Sequence, residues 1–131
     1  MNKKRILVVD DDITTLRLLK IGLESTGLYE VREENNGHNA CHTALEFNPD
    51  MAVLDVCMGD IDGGEVAARM GMHPRLKHVP IVFLTSMVSE DEAAQQPVQS
   101  GGYKFLAKPV KIRQLCQHIE ERIGNAVAAI A

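Results

Sequence analysis

Five short apolar runs, separated by stretches of helical periodicity, constrain this chain more than any single motif in it. Residues 5–9 (RILVV), 28–33 (LYEVRE), 51–55 (MAVLD), 81–85 (IVFLT) and 103–107 (YKFLA) read as strands. Between them the spacing predicts helices. One runs from Ile13 to Thr26, with Ile13, Leu16, Leu19 and Leu23 inward and Gly27 as a left-handed stop. A second covers His38 to Phe47, and a third covers about Gly64 to Met70. A fourth opens at the capping box Ser89 to Glu92 and is cut short or bent by Pro97. The last carries Ile112, Leu115, Ile119 and Ile123 on one stripe.

Strands alternating with helices call for a parallel sheet covered on both faces. The polarity of the strands also orders them. The first, third and fourth are nearly all apolar, as strands buried on both faces must be, whereas YEVRE and YKF interleave charge and belong at the edges. With right-handed crossovers the order is 2-1-3-4-5, a flavodoxin-like (βα)5 doubly wound α/β sheet whose switch point lies between the first and third strands.

Composition narrows the function. At 131 residues and 45% hydrophobic content, one domain spanning 1–131 is expected, with an ordered core over about 4–125 and no output domain. The net charge of −4, without a basic run, argues against direct nucleic-acid binding. No apolar run is long enough for a membrane span, so a cytoplasmic protein with no membrane partner is expected. Cys41, Cys57 and Cys116 offer neither a disulfide framework nor a CxxC motif and read as reduced thiols. His38, Cys41 and His42 sit one helical turn apart without an apparent fourth ligand, which a solvated helix face explains better than a metal. The other histidines read as surface residues, and the closing AVAAIA as a frayed end.

Ligands of doubly wound sheets bind beyond the carboxyl ends of the strands. Those ends carry Asp10, Asp11 and Asp12 after the first strand, Asp55 on the third, Thr85 and Ser86 on the fourth, and Lys108 on the fifth. Carboxylates brought close together need a counter-charge, which a hard divalent cation and an ammonium can supply. A hydroxyl and a lysine beside them suit phosphoryl transfer, where catalysis is largely positioning and charge neutralisation. Read alone, Asp12 caps the first helix, the DGG at 62–64 is a turn and helix entry, and Lys108-Pro109 is a helix start.

These pieces resemble the receiver domains of two-component response regulators over essentially the whole chain. LVVDDD is similar to the family's acidic pair at Asp10 and Asp11, and VLDVCMGDIDG to its phosphoacceptor segment, with Asp55 as acceptor and the Cys57 backbone carbonyl as a metal ligand. FLTS supplies Thr85, FLAKPV supplies Lys108, and Phe105 falls at the switch aromatic. The resemblance implies Mg²⁺, with Mn²⁺ as a substitute, held by Asp10, Asp11, Asp55 and the Cys57 carbonyl. It also implies phosphorylation of Asp55 by a histidine kinase or phosphotransfer protein, with Thr85 and Lys108 stabilising the phosphoryl group. Thr85 and Phe105 would then act as the switch, with Cys57 and Met87 tuning the lifetime of the phosphorylated state. A downstream protein of unknown identity, or a dimer, would use the face of the fourth helix, fifth strand and last helix. Such a chain is a signalling protein whose only catalysis is on itself.

The sequence departs from the family at two places. Gly59-Asp60 stands where Pro-Gly is usual, and Phe105 stands where Tyr is commoner. Two alternatives remain open. DDDIT also fits the DxDxT pattern of haloacid-dehalogenase-type phosphatases, with Asp10 as nucleophile and Asp12 as acid/base. A receiver-like interaction module without phosphorylation is the other.

Overall fold

The computed structural model describes residues 2–86 and 103–124. The fourth helix with Ser89, Glu92 and Pro97, the lifetime position Met87, and the AVAAIA end lie outside the described residues. Five parallel strands form one sheet: β1 (Lys4–Val9), β2 (Tyr29–Glu34), β3 (Met51–Asp55), β6 (Ile81–Thr85) and β7 (Lys104–Ala107), in the order β2-β1-β3-β6-β7. This is the expected 2-1-3-4-5 order, once a small antiparallel hairpin, β4 (Cys57–Met58) with β5 (Ile61–Asp62), is counted between the third and fourth main strands. The hairpin has no counterpart in the sequence reading, because two residues per strand leave no periodicity to detect.

Burial follows the predicted polarity. Every residue of β3 and β6 is buried, whereas edge strand β2 buries Tyr29 and Val31 and exposes Glu30 and Arg32 between them. One apolar layer joins β1, β3 and β6 to α2 (Ala40–Phe47) and α3 (Gly63–Met72) through Leu7, Leu54, Phe83, Phe47, Val66 and Met70. The opposite layer joins the sheet to α1 (Ile13–Glu24) and the C-terminal helix (Ile112–Ile123) through Ile6, Val53, Leu84, Leu19, Leu115 and Ile119.

Five local expectations are corrected. Ile13 is 57% exposed, because α1 begins where β1 has ended and its first turn overhangs the sheet; Leu16, Leu19 and Leu23 do face inward. That helix stops at Glu24, and Gly27 follows it with a left-handed φ of 78°. Residues Gly37–Asn39 form a 3₁₀ turn ahead of α2, because the Asn36 side chain accepts the His38 amide and caps this shorter turn first. His118 is 5% exposed, on the inward side of the C-terminal helix one turn after Gln114 and adjacent to the Leu115 and Ile119 stripe. Pro109 does not start a helix: the Lys108-Pro109 peptide is cis and the helix begins at Ile112.

Candidate functional site

The parallel register brings the ends of β1, β3 and β6 level, with Val9 beside Leu54 and Asp55 beside Leu84. Asp10 follows directly on β1 and is 2% exposed, Asp55 closes β3 at 5%, and Thr85 closes β6 at 5%. The Lys108 amide donates to the Thr85 carbonyl at 2.9 Å and so fastens the end of β7 to that of β6. From there the Lys108 ammonium donates to Asp10 Oδ2 at 3.0 Å and to Asp55 Oδ1 at 3.3 Å. Strand ends far apart in sequence are thereby closed into one charged cluster.

Asp10 is held from two sides. Its other oxygen, Oδ1, accepts the Asp12 amide at 2.9 Å. Asp11 is exposed, and Asp10, Asp11 and Asp55 each bring a carboxylate oxygen within 4.8 Å of the others. A set of carboxylate oxygens facing solvent on one side fits a hard divalent cation that keeps some of its water. Burial pushes the Asp55 carboxyl above its ordinary value, and the Asp10 charge adds to this while Lys108 opposes it. For Lys108 burial alone would favour the neutral amine, but the hydrogen bond and charge of Asp10, then Asp55, outweigh it and hold the ammonium above its ordinary value.

The third aspartate of the run behaves differently. Asp12 caps α1, accepting the Thr14 amide at 3.0 Å and the Thr15 hydroxyl at 2.8 Å. Those bonds, Thr15 first, lower its carboxyl below the ordinary value. Cys57, two residues past Asp55, opens β4 with its side chain exposed. Gly59-Asp60 is the two-residue turn of the hairpin, with positive φ at Gly59 alone, as a type II′ turn requires. A Cβ on Gly59 would lie 3.9 Å from Asp11 Oδ2, so the departure from Pro-Gly borders the acidic cluster. Phe105 is partly buried and stacks on Phe83, with ring centroids 5.1 Å apart. Phe83 was not among the residues singled out in the sequence, since an apolar residue within an apolar strand carries no separate signal.

A doubly wound sheet whose switch point gathers carboxylates around one ammonium defines a class, the flavodoxin-like α/β domains that bind ligands beyond the strand ends. Residues 6–120 match the family model of the response regulator receiver domain, and the chain belongs to that family. Among curated relatives it is similar to the polar-differentiation response regulator DivK of Brucella anthropi, 24% identical over 94% of this chain and 98% of that protein. Among solved structures it resembles chemotaxis protein CheY4 of Vibrio cholerae, with a TM-score of 0.78 and 27% identity over 92% of this chain and 98% of that one. The signal receiver domain of a modulated diguanylate cyclase from Desulfovibrio desulfuricans is 34% identical, with a TM-score of 0.74, over 93% of this chain and 94% of that one. Receiver domains are signalling proteins, not conventional enzymes. No helix among the described residues is long and apolar enough to cross a membrane.

Proposed function

We propose that the chain is a phosphorylation-operated switch that accepts a phosphoryl group on Asp55 from a histidine kinase or phosphotransfer protein. The observation that carries this reading is the sharing of one ammonium, Lys108, between Asp10 and Asp55 at the sheet's switch point. In the transfer, an Asp55 carboxylate oxygen attacks phosphorus, the P–N bond to the donor imidazole breaks, and the electron pair stays with that nitrogen. The product is a mixed anhydride on Asp55. Asp10, Asp11, Asp55 and the Cys57 carbonyl are the residues that would hold Mg²⁺, or Mn²⁺ in its place. The cation would supply charge neutralisation for the phosphoryl oxygens.

The protein's own groups supply the rest. Lys108 loses the Asp55 carboxylate as a partner when that group becomes the acyl phosphate and turns to the phosphoryl oxygens, while the Thr85 hydroxyl, at the end of the neighbouring strand, binds another. Because the Lys108 amide is tied to the Thr85 carbonyl, a shift at either residue is passed to the end of β7, and so toward the face of β7 and the C-terminal helix, where an inward Phe105 belongs to the signalling arrangement. That face is the proposed surface for a downstream protein or a second copy. Asp12 serves as a helix cap, with its carboxyl lowered, and is ill suited to act as a proton donor beside Asp10. This disfavours the phosphatase reading.

Incubation with acetyl phosphate and Mg²⁺, followed by intact-mass and acyl-phosphate analysis, tests the proposal. One phosphoryl group is expected on the wild type and none on Asp55→Asn, whose amide cannot form the anhydride. Equal labelling of the variant would remove Asp55 from the role, and multiple turnover of phosphate esters without a lasting label would restore the phosphatase.

A further inference from the structure

Phe83 sits at the middle of β6, and the parallel register places it directly beside Phe105 on β7. Laterally paired residues point to the same face of a sheet. Here their rings stack, with planes 22° apart. Tyr103, two residues earlier on that face, meets the Phe83 ring edge to face at 5.2 Å and 87°. The opposite flank of Phe83 is closed by the start of α3. A Cβ on Gly63 would lie 3.2 Å from Phe83 Cε1 and would collide with the Asp55 carbonyl oxygen. Phe83 is 3% exposed, with the partly buried Phe105 stacked on its ring.

We propose that Phe83 is a positioning residue for the switch: its ring holds Phe105 inward before any phosphoryl group is bound, and so biases the β7 face toward its signalling arrangement. The inference rests on the reading of Phe105 as the switch aromatic. Its physical basis is separate from the phosphoryl chemistry. A phenyl ring has no hydroxyl with which to recover hydrogen bonds in solvent, so swinging outward forfeits both burial and the stacked contact. A ring that is already inward leaves a later phosphoryl group little population to shift.

The test is ¹⁹F NMR of protein containing fluorophenylalanine, which reports on only Phe47, Phe83 and Phe105, each assignable by replacement. In unphosphorylated wild type the Phe105 resonance should be that of a stacked ring and should barely move on addition of acetyl phosphate and Mg²⁺. In Phe83→Leu the inward-to-outward ratio should fall about 2- to 10-fold, the range expected for loss of one stacked aromatic pair, and the donor should now shift the resonance clearly. Phe83→Tyr, which keeps a ring, should restore the wild-type signal, as a merely space-filling role would not require. Should Phe83→Leu fail to fold, Phe83→Met provides the same comparison. A Phe105 signal unchanged between wild type and the Leu or Met variant would overturn the proposal, as would a wild-type ring that is outward until the donor is added. Intact mass on the same samples reads Asp55 separately. Missing label there defeats the phosphorylation reading without touching the stack, and normal label with an unmoved ring in the variants defeats only the role of Phe83.

Discussion

At the carboxyl edge of the sheet, buried charges are gathered in one place and bonded to one another; along the C-terminal helix, buried polar atoms are left singly. Asp10, Asp55 and Lys108 share two short contacts. On that helix Gln114 Oε1 and both ring nitrogens of His118 have no hydrogen-bond partner among the described residues, nor has the Tyr29 hydroxyl on β2. The cluster tolerates burial because each charge lies beside its opposite, and it borders the site where the proposed cation and phosphoryl group would rearrange those charges. An unsatisfied buried group costs roughly 1–3 kcal/mol. Strand ends far apart in sequence thus hold a mutually satisfied arrangement, while neighbours one helical turn apart do not.

The largest effect should come from breaking the satisfied cluster. Lys108→Met leaves Asp10 and Asp55 buried without their cation and should cost about 3 kcal/mol at neutral pH in metal-free buffer. Urea unfolding measures the loss, and added Mg²⁺ should recover part of it, since a divalent cation replaces the missing charge. A midpoint unaffected by the substitution would mean that water screens these carboxylates far better than their burial indicates.

Replacing His118 sharpens the other half. His118→Phe exchanges an unpartnered imidazole for an apolar ring and should raise stability by about 1 kcal/mol at pH 7. The gain should grow in mild acid. Burial first, then Lys104 on β7 and Arg122 on its own helix, push the imidazole below its ordinary value of 6.5, while Glu121 opposes them. A depressed folded value makes this contribution to stability fully present above 6.5 and progressively lost as pH falls through 6.5 toward the folded value. Comparing urea midpoints of wild type and His118→Phe between pH 7.5 and about 5 checks the sign. Parallel pH profiles would show that His118 finds a partner in solution.

The smallest effect belongs to the aspartate whose side chain takes no part in either arrangement. Asp12→Ala should lower the urea midpoint slightly through loss of the α1 cap, and Asp12→Asn less still, since an amide oxygen can still accept the Thr14 amide. Acyl-phosphate labelling should persist in Asp12→Asn, where abolished labelling would draw this residue into the site.

Much of this was legible without coordinates. Strand order followed from where charge interrupts the apolar runs, because a strand covered on both faces cannot expose Glu30 or Arg32 while an edge strand can. The candidate residues followed from reading what stands at each strand's end, and Asp12 from the preference of carboxylates for exposed helix amides. Boundaries were less legible. Asn36 captures the start of α2, and α1 outlasts the sheet beneath it, so Ile13 meets solvent despite its place on the apolar stripe.

Apolar periodicity and the chemistry of strand termini are local properties of a chain, and they were enough to read off the class of fold and the members of the acidic cluster. How those groups are paired is a matter of packing. That Lys108 divides itself between Asp10 and Asp55, that Phe83 stacks on Phe105, and that His118 turns inward without a hydrogen-bond partner among the described residues are consequences of register and helix rotation. These depend on how five strands and their covering helices pack at once. The free energy of a buried charge or ring is set by neighbours tens of residues away, and no local pattern carries that information.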